Sequence, residues 1–184
     1  MPDPSPLNPA QQQAVADARA RAARIHAAAR VATFNGWTLA IMAGLSLLFA
    51  FTSVVALVMA VGLGWIAWNE FRGRARLRAF DPGGAVLLGR NQLALLALIA
   101  AYALYSIVKA FVVPIPYLAE LEQIAGPVGG LARTLTVAVY AAVLVLTAVV
   151  QGLNARYYFA RRRLIEEFRA QTPEWVVGLL RRLG

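Results

Sequence analysis

Between Arg30 and Glu70 the chain carries no charged residue, and this block constrains the fold more than any other feature. As one helix the intervening segment would be about 58 Å long at about 1.5 Å per residue. The hydrocarbon core of a bilayer is only about 30 Å thick. A single crossing would need a tilt of roughly 60°, well outside the usual range of about 0–40°. Folded back at residues 47–57, "LLFAFTSVVAL", the segment gives two arms of about 26 Å each, short spans that snorkelling or local thinning accommodates. Thr52 and Ser53 are the polar residues of that stretch and mark the expected turn.

Charge sidedness points the same way, because arginine and lysine collect in cytoplasmic segments. Arg19, Arg21, Arg24 and Arg30 precede the block, and Arg72, Arg74, Arg76, Arg78 and Arg90 follow it. Seven more arginines, from Arg156 to Arg182, close the sequence. Two crossings put all of these on one side, leaving Lys109 and Arg133 on the other. A single crossing strands the first four from the next cluster. A re-entrant loop that stops inside the bilayer gives the same sidedness and stays open as an alternative.

Two further charge-poor stretches, 91–108 and 134–155, complete an all-α, polytopic membrane protein with four transmembrane helices, the first two a short tight hairpin. The expected spans are 33–50, 54–70, 92–112 and 130–153. They form a membrane domain over 33–153, between a cytoplasmic N-terminal amphipathic helix (1–32) and a cytoplasmic C-terminal helical extension (154–184). Hydrophobic side chains make up 60% of the 184 residues, above the roughly 45–50% of soluble domains. Nothing at the N-terminus reads as a cleavable signal peptide, since hydrophobicity begins only after Arg30. The bias to arginine and alanine suggests a bacterial protein of the cytoplasmic (inner) membrane.

Asn8-Pro9-Ala10-Gln11 reads as a helix start with a capping box. In the following helix Val15, Ala18, Ala22, Ile25 and Ala29 share one face, and Arg19, His26 and Arg30 another. The alanine face either stays partly solvated or docks on the C-terminal helix or a partner. The stretch 71–91 reads as a cytoplasmic loop divided by a turn at Asp81-Pro82-Gly83-Gly84. Its Arg72, Arg74, Arg76 and Arg78 are candidate contacts for anionic lipid headgroups. Gly84 to Asn91 has the glycine spacing of a phosphate-binding loop but lacks its Lys and Ser/Thr, so that reading is rejected. Pro114 and Pro116 end the third span, and a short outer helix is expected over Tyr117–Ala125, with Glu120 and Glu122 near Lys109 and Arg133. At the C-terminus Thr172-Pro173-Glu174 caps a last amphipathic helix. Its Trp175, Leu179 and Leu183 suit either the bilayer surface or a partner groove. Aromatics interleaved with arginines near Tyr157 read as membrane anchoring rather than nucleic-acid binding.

No catalytic, cofactor or metal site is discernible: the chain has no cysteine, one histidine and no paired carboxylates inside the spans. Small residues do recur at four-residue spacing, and Ala56, Ala60 and Gly64 form the best helix-packing seam. The expected function is therefore non-catalytic: assembly as a homo-oligomer, or as an accessory or scaffold subunit beside another membrane protein. A channel formed between protomers is the alternative.

Overall fold

The computed structural model describes residues 7–113, 124, 126 and 129–183. Among them the chain is all helical: α1 Pro9–Leu48, α2 Val54–Arg78, α3 Pro82–Val112, α4 Gly129–Gln171 and α5 Glu174–Leu183. The first four are long and apolar enough to cross a membrane. Apart from Ile124, the expected outer helix at 117–125 lies outside the described residues, as do Glu120 and Glu122.

α1 begins as its sequence predicts. Asn8 Oδ1 accepts the Gln11 N–H at 2.8 Å, Gln11 Oε1 accepts the Asn8 N–H at 3.0 Å, and Pro9 opens the first turn. The helix ends at Leu48, and the chain reverses through Phe49–Ser53. There Thr52 donates both its N–H and its hydroxyl to the Phe49 carbonyl, and Ser53 caps α2 by accepting the Ala56 N–H at 3.4 Å.

The stretch read as a loop at 71–91 is instead helix on both sides of a short turn at 79–81. Arginine is a good helix former, so α2 simply continues through the arginines to Arg78. The turn closes as a Schellman motif: Phe80 N–H donates to the Leu77 carbonyl and Asp81 N–H to the Arg76 carbonyl. The left-handed position of such motifs favours glycine, yet here it holds Phe80, at φ 56°. Asp81 then starts α3, its carboxylate accepting the Gly83 N–H at 2.8 Å. Gly83 and Gly84 belong to the helix, and Gly84 lies where α2 passes closely: a β-carbon there would meet Arg76 Cβ at 2.7 Å.

By contact density the chain divides into two compact units, residues 1–91 with 155–184, and residues 92–154. In the first, α1 packs along α2, with Trp37 edge-on to Phe71 at 5.6 Å and Gly36 against the same ring. Its core joins the alanine face of α1 (Ala18, Ala22, Ile25, Ala29) to Leu77, Phe80 and Leu88, and to Tyr158, Ile165 and Phe168 of α4. Val176, Val177 and Leu180 of α5 close it. The alanine face is thus docked rather than solvated. Gly73 under Leu88 and Gly89 under Phe159 let α2, α3 and α4 approach closely. In the second unit α3 and α4 run antiparallel. Tyr102 and Tyr140 meet edge to face at 5.9 Å, and Arg133 donates to the Ala110 carbonyl at 3.3 Å while lying over Phe111.

Candidate functional site

Arg19, His26 and Arg30 are spaced by seven and four residues, which sets them on one stripe of a helix of 3.6 residues per turn. Ala18, Ala22, Ile25 and Ala29, about 100° round the helix, are buried, which leaves this stripe on the open flank of the packed face. Arg78, in the last turn of α2, and Leu180 and Leu183 of α5 come up beside it. The result is an open groove of about 520 Å³ with Ala23 completing its wall. His26 stacks edge-on to Phe80 at 5.5 Å. Burial first, then the Arg78 and Arg30 guanidiniums, hold its imidazole below the ordinary histidine range. Among the described residues the ion pairs are Arg76–Asp81 at 3.9 Å, Arg162–Glu166 and Arg163–Glu167, both at 2.8 Å. Arg19, Arg30 and Arg78 belong to none of them, and no carboxylate lines the groove. Three uncompensated guanidiniums around one apolar-walled depression can hold a phosphate or carboxylate by bidentate hydrogen bonds.

The four alternating arginines do not act as one stripe. Residues two apart on a helix lie about 200° apart, so Arg72 and Arg76 share one face and Arg74 and Arg78 the other. The first pair is exposed and the second half-buried, with Arg74 Nε enclosed. Of the small-residue seam, Ala60 is buried and Ala56 half-buried, whereas Gly64 has open space where a β-carbon would stand. Trp175 and Leu179 flank a separate shallow groove with Leu7, Gly178 and Arg182, and Leu183 remains exposed. The Thr172 hydroxyl is buried, and the carbonyl of Pro173, not that side chain, accepts the first N–H groups of α5.

A polar cluster inside the first unit is the feature that sequence reasoning missed. Glu70 is fully buried, and Asn91 Nδ2 donates to its Oε1 at 2.8 Å and to the Ile66 carbonyl at 2.9 Å. The buried Tyr158 has Asn35 and Glu70 as polar neighbours. Four helices thereby contribute one polar side chain each. Buried polar groups need partners, so such a set fixes the register of the helices that carry it. Its only signal in the sequence is polar residues at the margins of apolar blocks, Asn35, Glu70 and Asn91.

Among the described residues no group of three or more His, Asp or Glu is placed to hold a metal ion. The chain matches no protein-family model, and comparison with curated proteins and with solved structures finds no significant match.

Proposed function

We propose that this chain is a non-catalytic integral membrane protein that works by assembly, as a homo-oligomer or as an accessory or scaffold subunit of a membrane complex. The observation that carries the reading is where its glycines find neighbours. Gly36, Gly73, Gly84 and Gly89 are each pressed by another helix of the same chain. Gly44 and Gly64 on α1 and α2 have no neighbour among the described residues of the first unit within 4 Å of where a β-carbon would stand, and Gly130 and Gly152 on α4 none among those of the second. Apolar exposure alone would not favour a partner, because lipid tails satisfy it as well as protein does. Open small-residue faces differ, since close backbone approach is what drives association between helices in lipid. The most apolar stretches of the four long helices are 11%, 28%, 11% and 0% buried within the chain, which leaves their surfaces free for such contacts.

The orientation follows the charge distribution: a bacterial cytoplasmic membrane, with both termini on the cytoplasmic side. The reversal at Phe49–Ser53 supports two crossings, the charge-free parts of α1 (31–48) and α2 (54–69) being about 27 and 24 Å long. Arg72 and Arg76 are the exposed pair suited to anionic headgroups. Native mass spectrometry from mild detergent tests assembly directly. The expected result is a discrete oligomer or a stoichiometric partner. A monomer with nothing co-purifying, in every detergent that preserves helicity, overturns it.

A further inference from the structure

We propose that the groove formed by Arg19, His26, Arg30 and Arg78 is a specific binding site for the phosphate-bearing headgroup of an anionic lipid. Its three guanidiniums are unpaired among the described residues and no acidic side chain shares the lining, so the site lacks an internal counter-charge. Arginine suits phosphate oxygens because its planar fork donates two parallel hydrogen bonds, where lysine offers a point charge. The remaining wall is apolar: Ala23, Leu180 and Leu183, the last 64% exposed. A free phosphate has no use for that wall, whereas the glycerol and first acyl carbons of a lipid would cover it. Position favours the same occupant. Arg30 is the last charge before the charge-free block, which sets this end of the groove at the boundary where headgroups lie.

The proposal rests on the membrane-spanning part of the reading above and not on assembly. A lipid-binding monomer would retire the oligomer and leave this site standing.

The test uses the full-length protein in a neutral detergent, titrated with short-chain phosphatidylglycerol, short-chain phosphatidylcholine and inorganic phosphate. Saturable binding of phosphatidylglycerol is expected, with little of phosphatidylcholine. The double variant Arg30→Gln/Arg78→Gln should weaken it about twenty-five-fold, each basic residue near an anionic group being worth about fivefold. Arg162→Gln/Arg163→Gln, exposed on α4 and each paired with a glutamate of its own helix, should leave it unchanged. Equal loss in both double variants, equal binding of phosphatidylcholine, or inorganic phosphate matching phosphatidylglycerol would each overturn the proposal, the last by showing that only the free anion is recognised. Circular dichroism checks that the variants fold. Should Arg30→Gln/Arg78→Gln not fold, cross-linking of a headgroup-photoreactive phosphatidylglycerol to the wild-type chain decides instead. Labels on residues 19–30 and 78 sustain the site, and labels confined elsewhere overturn it.

Discussion

Phe80 holds a backbone conformation that costs a β-carbon-bearing residue roughly 1–2 kcal/mol, and it does so in the middle of the core. Its ring lies 4.6 Å from Phe168 and supports the edge of His26, so packing on both sides keeps it where the turn alone would prefer glycine. His26 inherits a consequence. Its folded-state pKa lies below the ordinary 6.5, because burial and then Arg78 and Arg30 oppose the imidazolium. As pH falls through about 6.5 the unfolded chain takes up this proton first, so stability is full above that pH and declines below it. The groups facing the ring are the two arginines, Phe80 and the α5 wall, and none of them repays the charge. His26→Gln is expected to flatten the acid limb of thermal unfolding between about pH 7 and pH 5; an unchanged limb would count against it. At this scale the sequence was half legible. The seven-and-four spacing of Arg19, His26 and Arg30 is visible in one dimension. Arg78 joins them only because the chain reverses at 49–53 and α2 runs back along α1, and Phe80 through the turn that follows α2.

Helix pairing turns on glycines that look like punctuation in the sequence. Gly73 sits among arginines and Gly84 follows Pro82-Gly83, a composition that reads as loop because charge and glycine dominate it. Both are points of helix contact. A β-carbon at Gly73 would overlap the Leu88 side chain, while one at Gly64 would meet no described residue of its unit. Gly73→Ala is therefore expected to lower stability by about 1–2 kcal/mol, overpacking outweighing the gain in helix propensity. Gly64→Ala should leave the isolated chain as stable or slightly more so, by up to about 1 kcal/mol, while weakening any oligomer. Thermal unfolding in detergent followed by circular dichroism, with oligomer mass read alongside, separates the two. The apolar blocks themselves were readable, because length and absence of charge suffice to place them. What filled their small-residue positions was not, since that depends on which helix arrives from elsewhere in the chain.

Across the whole molecule, α1 and α4 are about 60 and 64 Å long, twice the thickness of a hydrocarbon core. Each therefore carries a charged extension beyond its apolar stretch, and in the first unit those extensions pack together. The lack of cysteine makes sidedness easy to read by labelling. With two full crossings, Ser53→Cys reacts with an impermeant maleimide on intact cells, and Arg76→Cys reacts only after permeabilisation. Identical behaviour at both positions would refute the full crossing and leave a re-entrant segment.

The docking of α1 on α4 and α5 also sets an order of events during synthesis. The alanine face at 18–29 emerges early, yet its partners Ile165, Phe168 and Val176 lie well over a hundred residues downstream. Contacts so distant along the chain close late. Until residues beyond 155 have left the ribosome, the alanine face can lie only against Leu77, Phe80 and Leu88, and the α4 and α5 side of its core stays open, so the completed core records that the last long helix has been made.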